Sequence, residues 1–90
     1  MSETFQNILK TLAEEYKLKR LVLFGSAVNS FEDSRDIDFA CEGLTGKNFL
    51  RFGAKLEEIF NKEVDLIQIE ENSRFIHEIL KKGLVIYESC

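Results

Sequence analysis

The sequence has 90 residues, a length that suits one small domain, and we expect residues 1–90 to form a single unit. Its hydrophobic fraction of 44%, with eight Phe, is enough for one core, and no apolar run is long enough for a membrane span. The net charge of −4 argues against binding long nucleic acid, although metal ions could still let the chain bind one nucleotide. The N-terminus shows no signal peptide, so we expect a cytoplasmic protein without a membrane partner.

Hydrophobic periodicity divides the chain into helices and strands. The predicted elements, in order, are a helix over residues 3–18, a strand over 20–24, a polar loop over 27–35 with room for a helical turn after Ser26, a strand over 36–42, a helix over 45–60, a strand over 63–70, a helix from Asn72 or Ser73 to Lys82, and a strand over 84–87. The order α-β-β-α-β-α-β predicts an α/β (α+β) fold, in which a mixed sheet of about four strands is flanked by helices.

The first predicted strand ends abruptly at Gly25 and Ser26. Glycine lets the backbone approach a ligand closely because no Cβ intervenes. Successive N–H groups in such a turn bind anions, and the hydroxyl of Ser26 adds one more donor. A Gly-Ser pair after a strand is also ordinary turn chemistry, so the pair alone does not identify a phosphate site.

The next predicted strand carries Asp36 and Asp38, ten and twelve residues after Ser26. Residues two apart on a strand share a face, with α-carbons about 6–7 Å apart. Like charges at this distance oppose each other's ionisation unless a cation lies between them, and carboxylate oxygens are ligands that Mg²⁺ prefers. For an isolated Asp-x-Asp, two exposed acids on an edge strand are the simpler interpretation.

A third acid, Asp65, lies in the most apolar predicted strand, with apolar neighbours on both faces. We therefore expect Asp65 to be buried, and a buried carboxylate needs a partner. That partner would be a basic side chain or a metal ion shared with Asp36 and Asp38. The adjacent Glu63 is expected to be an exposed residue at the helix–strand junction.

The remaining chemistry-bearing residues have simpler structural interpretations. Two cysteines without Cys-x-x-Cys spacing predict neither a disulfide framework nor a zinc site, and Cys41 is expected to be a small buried residue. His77 lies off the apolar stripe of its helix and is expected at the surface. The basic residues Lys47, Arg51 and Lys55, spaced every four positions, predict a solvated helix face.

Taken together, these motifs resemble the minimal nucleotidyltransferases of the DNA polymerase β-like superfamily, the antitoxin-like partners of all-helical HEPN proteins. The signature of that group is an apolar strand ending in Gly-Ser, a loop, an Asp-x-Asp strand and a third Asp on a later strand. The resemblance covers nearly the whole chain, and the matching positions are Gly25, Ser26, Asp36, Asp38 and Asp65.

The resemblance implies a Mg²⁺-dependent enzyme with two ions, for which Mn²⁺ can substitute. Asp36, Asp38 and Asp65 would bind the metal, with Asp65 also able to accept a proton, and Gly25 and Ser26 would bind the phosphates of a nucleoside triphosphate. The implied reaction transfers a nucleoside monophosphate, AMP from ATP, to a hydroxyl on a partner protein or another acceptor. The implied role is the antitoxin half of a toxin–antitoxin pair with an all-helical HEPN-like partner.

The chain departs from the family pattern around the Gly-Ser pair. Family members usually carry basic residues directly after it, where residues 27–30 read AVNS, and Ser before the first Asp, where this chain has Arg35. Arg35 could support the phosphates or pair with Asp33.

Two alternatives to the enzyme stay open. Loss of the basic groups favours a weakly active or inactive module of the same fold that binds and neutralises a helical partner, whereas retention of all three aspartates favours the enzyme. An unrelated α/β domain with incidental acids would require a salt bridge at Asp65.

Overall fold

The computed structural model describes residues 2–69 and 74–89, except for the side chains of Phe75 and Ile76. The elements are α1 (Glu3–Glu15), β1 (Arg20–Phe24), a 3-10 turn (Gly25–Val28), β2 (Asp36–Glu42), α2 (Gly46–Phe60), β3 (Glu63–Gln68), α3 (Arg74–Lys82) and β4 (Leu84–Glu88). This order confirms the predicted fold class. The predicted cap at Asn72 or Ser73 lies outside the described residues. No helix within the described ranges is long and apolar enough to cross a membrane.

Helix α1 ends three residues earlier than predicted. The helix begins where the Ser2 hydroxyl oxygen accepts a hydrogen bond from the Phe5 N–H at 3.3 Å. Beyond its last turn, Lys17 adopts a left-handed φ of 57°, and the Leu18 N–H donates to the Ala13 carbonyl oxygen at 3.0 Å. The apolar pattern continues past the helix end because Leu18 is still buried in the core, so periodicity alone overestimated the helix.

The four strands form one mixed sheet in the order β3-β2-β1-β4. Strand β1 pairs antiparallel with both β2 and β4, whereas β2 pairs parallel with β3 through the α2 crossover. The end of β1 and the starts of β2 and β3 therefore meet at one end of the sheet. Within the described part of the chain, strand β3 lies at the sheet edge and pairs only with β2.

Each face of the sheet packs against helices through its own core. The larger core joins α1 and α2 to residues that alternate along β1 and β2: Leu21, Leu23, Ile37, Phe39 and Cys41. In this core, burial raises the pKa of the Cys41 thiol to about 12, which agrees with the predicted buried residue. The smaller core on the opposite face joins α3 to the intervening positions and consists of Val22, Ala40, Ile69 and Ile79.

Two glycines give opposite predictions for stability. A Cβ at Gly83 would lie 2.6 Å from the Ile79 carbonyl oxygen and 2.8 Å from that of Leu23, and these backbone atoms have little freedom to move away. We expect Gly83→Ala to lower the free energy of unfolding by about 1–3 kcal/mol. A Cβ at Gly53 would meet only a Leu66 methyl at 3.6 Å, so Gly53→Ala should raise it by about 0.5–1 kcal/mol. Urea unfolding measures both changes, and changes of the same sign would contradict this packing.

Candidate active site

The three predicted aspartates lie together on the face of the sheet that packs against α3. Strand β2 carries Asp36 and Asp38 two residues apart, and the parallel register with β3 sets Asp38 opposite Asp65. The same register sets Asp36 opposite Glu63. The backbone pairing alone therefore gathers four carboxyl groups at the starts of two neighbouring strands.

The prediction that Asp65 is buried is wrong. Asp65 and Asp36 are both exposed, and Asp38 is half-buried. Asp65 does lie between apolar positions along its strand, but β3 is at the sheet edge. Helix α3 packs on this face farther along the sheet, where Ile69 joins the smaller core. Asp65 also forms no salt bridge within the described residues, which removes the main support for an unrelated domain with incidental acids.

The acidic side chains pair with one another instead of with cations. The Asp38 carboxyl group faces that of Asp65, and the Asp36 carboxyl group faces that of Glu63, and a hydrogen bond within either pair requires one of its two groups to be protonated. Within residues 2–69 and 74–89, no Lys, Arg or His forms an ion pair with any of these four acids.

This crowding raises the pKa of two of the acids. Partial burial raises the pKa of Asp38 above its ordinary value of 3.8, and the charge and hydrogen bond of Asp65 and the charge of Asp36 raise it further. The pKa of Glu63 is raised chiefly by its hydrogen bond with Asp36 and by the charge of that residue. The protein therefore holds these protons more tightly than separate carboxyl groups would.

The donor set suits a hard divalent cation. All four side chains offer carboxylate oxygens, the ligands that Mg²⁺ takes, and a cation would relieve their mutual repulsion. In the part of the chain that the structure describes, no three Asp, Glu, Cys or His side chains converge closely enough to hold a metal ion. The four acids form two facing pairs because the strand register sets Asp36 opposite Glu63 and Asp38 opposite Asp65. The four carboxyl groups therefore suit magnesium in ligand chemistry and in charge, and they are arranged as two pairs.

Gly25 lies directly against the Asp38 carboxylate. It has a φ of 77°, and a Cβ built there would lie 2.5 Å from the Oδ2 atom of Asp38. The positive φ favours glycine here, and the absence of a Cβ leaves room for the carboxylate. Ser26 follows it, exposed on the 3-10 turn that the sequence left room for. The predicted phosphate turn therefore lies directly beside the acidic cluster.

Glu63 is a site residue that the sequence interpretation missed. It is exposed and begins β3, as predicted, but it also lies opposite Asp36, and its carboxyl group faces that of Asp36. A signal was present, because Glu63 precedes Asp65 by two residues, just as Asp36 precedes Asp38. This spacing places both acids of each pair on one face of their strand.

Lys62 is a second residue that was missed. Its Nζ atom donates to the carbonyl oxygens of Phe31 at 2.7 Å, Glu32 at 3.0 Å and Ser34 at 2.8 Å. These contacts span 28 to 31 residues, so no local pattern indicates them. The segment 27–35 was interpreted as polar, yet Phe31 is buried in the larger core and anchors it.

Among the described residues, the other basic side chains that the sequence singled out are exposed and form no ion pair with the four acids. Arg35 is exposed, and within the described residues it forms neither an ion pair with Asp33 nor a hydrogen bond. His77 is exposed, as predicted. The basic stripe on α2 is also exposed, as predicted: Lys47, Arg51 and Lys55.

A mixed sheet between helices, with Gly-Ser at the end of β1 and carboxylates at the starts of β2 and β3, defines a nucleotidyltransferase fold. The sequence model of the polymerase beta nucleotidyltransferase family matches residues 6–89. The chain therefore belongs to the polymerase beta nucleotidyltransferase family, which confirms the resemblance drawn from its motifs. A comparison with curated proteins gives no significant match.

Solved structures of toxin–antitoxin complexes share the fold. One is a mutant of the toxin–antitoxin MntA–HpeT, with a TM-score of 0.74 and 20% identity over 93% of this chain and 73% of that chain. A second, a toxin–antitoxin with AMP-PNP, has a TM-score of 0.73 and 22% identity over 93% of this chain and 73% of that chain. A third is the tri-AMPylated HEPN toxin of Shewanella oneidensis in complex with MNT antitoxin. Its TM-score is 0.72, and the identity is 22% over 99% of this chain and 74% of that chain. At these identities the likeness is one of fold.

The raised pKa of Asp38 predicts that this site destabilises the fold at neutral pH. The folded protein binds the Asp38 proton more tightly than the unfolded chain does, so protonation of Asp38 stabilises the fold. This stabilisation is complete below about pH 3.8, the ordinary pKa of the group, and is lost as the pH rises through the raised pKa of the folded protein. We expect Asp38→Asn to unfold at a higher temperature than wild type at pH 7 without divalent metal. Solvent screening keeps the gain to about 0.5–1 kcal/mol.

Thermal unfolding of both proteins from pH 4 to pH 7 measures this difference, which should grow as the pH rises. Glu14→Gln on the exposed face of α1 changes the net charge equally and serves as the control. An equal gain in that control would assign the effect to overall charge instead of to the site.

Proposed function

We propose that this chain is a Mg²⁺-dependent nucleotidyltransferase that moves AMP from ATP to a hydroxyl on a partner protein. We further propose that it is the antitoxin half of a toxin–antitoxin pair, with an all-helical HEPN protein as the partner. Membership of the nucleotidyltransferase family supports the class of reaction. The fold shared with an MNT antitoxin in complex with a tri-AMPylated HEPN toxin supports the choice of AMP and of partner.

The contact between Gly25 and the Asp38 carboxylate is the observation that carries this proposal. Glycine at this position leaves room for the contact, which brings the predicted anion-binding turn beside the carboxylates. A phosphate at the turn would therefore lie beside acidic groups, which is favourable only with a cation between them. A site that needs both a phosphate and a divalent cation suits a metal-bound nucleoside triphosphate.

In this mechanism Asp36, Asp38 and Asp65 would hold the magnesium, with two ions expected from the family resemblance. When bound, magnesium supplies positive charge that offsets the triphosphate and lowers the pKa of the acceptor hydroxyl. The N–H groups of the turn and the Ser26 hydroxyl donate to phosphate oxygens and orient the nucleotide. Exposure at the sheet edge leaves Asp65 accessible to an acceptor from outside.

Proton transfer is then assigned to Asp65. Its carboxylate accepts the proton of the acceptor hydroxyl as that oxygen forms a bond to the α-phosphorus. The bond from the α-phosphorus to the bridging oxygen breaks, and pyrophosphate leaves with its electron pair. The products are the AMP-modified acceptor and pyrophosphate.

A second candidate function is a module that binds and neutralises a helical partner without catalysis. The observation that favours it is the lack of a basic residue in the segment that directly follows Gly25 and Ser26. Residues 27–30 contain no basic side chain, and Lys62, at the same end of the sheet, donates to three backbone carbonyl oxygens. The two candidates differ in whether a nucleotide bound at the site is transferred to the partner.

Calorimetric titration tests the nucleotide site without requiring a partner. ATP with Mg²⁺ is expected to bind wild type and to bind Asp38→Asn at least roughly 10- to 100-fold more weakly, because removing a carboxylate removes a metal ligand. Glu14→Gln should bind as wild type does. Equal affinities of wild type and Asp38→Asn would eliminate the metal-dependent site.

Label transfer tests the reaction itself. With ATP labelled at the α-phosphate, Mg²⁺ and a purified all-helical HEPN protein, wild type should label the HEPN protein, while label at the γ-phosphate should not be transferred. Asp36→Asn should reduce the rate of transfer by roughly 10²–10³-fold. Binding of ATP without any transfer would instead support the neutralising module.

A further inference from the structure

We propose that Lys62 is a positioning residue for the acidic site, because its ammonium group holds the loop that leads into Asp36. This inference rests on the proposed function, since it identifies what keeps the ligand set of that site in place. Lys62 need not touch a nucleotide or a metal ion for this role. It acts through the backbone of residues 31–34.

The contacts of Lys62 use its full donor capacity. An ammonium group has three N–H donors, and three carbonyl oxygens accept from Nζ at 2.7, 3.0 and 2.8 Å. The same Nζ lies 5.2 Å from the centre of the Phe31 ring, within range of a cation–π contact. Hydrogen bonds from a charged donor are stronger than neutral ones. The Nζ atom of Lys62 therefore binds the backbone of the loop at one point.

That point lies directly beyond the end of the β2–β3 ladder. The first backbone partners of the ladder are Asp36 and Glu63. Lys62 immediately precedes Glu63, and Ser34, whose carbonyl oxygen it binds, lies two residues before Asp36. The side chain of Lys62 thus links the segment before β2 to the segment before β3, just outside the Asp36–Glu63 pair at which the ladder begins.

Further contacts within the loop and with the core keep this segment in place. The Ser34 N–H and hydroxyl both donate to the Ser30 carbonyl oxygen, at 3.0 and 2.7 Å, which closes a turn. Phe31 is buried and packs edge-on against Phe60, with ring centres 5.1 Å apart. The buried Phe31 ring anchors the loop to the core, and Lys62 holds the backbone carbonyl groups of the loop in place. With both contacts made, Asp36 enters β2 beside Glu63.

Metal affinity separates this role from a general contribution to stability. Without Lys62, water can bond the three carbonyl oxygens, so the global fold should survive while the loop becomes less ordered. Residues that orient metal ligands typically change metal affinity or activity by 10- to 100-fold. We therefore expect Lys62→Met, which keeps the length of the side chain but removes all donors, to weaken Mn²⁺ binding by about 10- to 100-fold.

Electron paramagnetic resonance of free Mn²⁺ measures this affinity without turnover, on wild type, Lys62→Met and Lys62→Arg. Lys62→Arg retains charged donors and should recover at least part of the affinity. Lys10→Met on the exposed face of α1 removes an equal charge and should bind as wild type does. Thermal unfolding of each variant establishes that it is folded.

The outcomes distinguish the two proposals. Weaker Mn²⁺ binding by folded Lys62→Met, with recovery in Lys62→Arg, supports the positioning role. Equal Mn²⁺ affinity in wild type and Lys62→Met overturns it, and so does equal weakening in Lys10→Met. If wild type binds Mn²⁺ but transfers no label to a HEPN protein, the proposed enzyme function fails while the Mn²⁺ affinities still decide the role of Lys62.

Discussion

The parallel pairing of β2 with β3 determines where every acidic side chain of the site lies. Its register is set by the core, because Ile37 and Phe39 must face α1 and α2, and a shift of one residue would turn them to the opposite face. The same register forces Asp38 beside Asp65. Packing of apolar residues on one face therefore maintains a cluster of mutually repelling charges on the other.

The cluster shows the compromise that functional sites commonly make with stability. Its acids have no basic partners among the described residues, and they face one another instead. By contrast, the far end of β1 carries a conventional ion pair, between Arg20 and Glu88 at 3.0 Å. Charges are thus balanced within the protein where they serve the fold and left unbalanced at the proposed metal site.

The sequence predicted most of the fold because its signals are local. The bounds of β1 and β2 were confirmed, since alternation and the Gly-Ser break mark them clearly. Burial of Asp65 was predicted wrongly because a strand's neighbours along the chain do not reveal that it lies at a sheet edge. The contacts of Lys62 with residues 31–34 were missed for a similar reason, since they form only after the whole sheet is assembled.

The central claim is that the acids beside Gly25 form a metal-dependent nucleotide site. Crystals grown with Mn²⁺ and a non-hydrolysable ATP analogue test it most directly, because the anomalous signal of manganese locates the ion independently of any activity. The account predicts a peak bounded by Asp36, Asp38 and Asp65, with analogue phosphates at the turn of Gly25 and Ser26. Analogue bound elsewhere, or no manganese peak among the three aspartates, would contradict it.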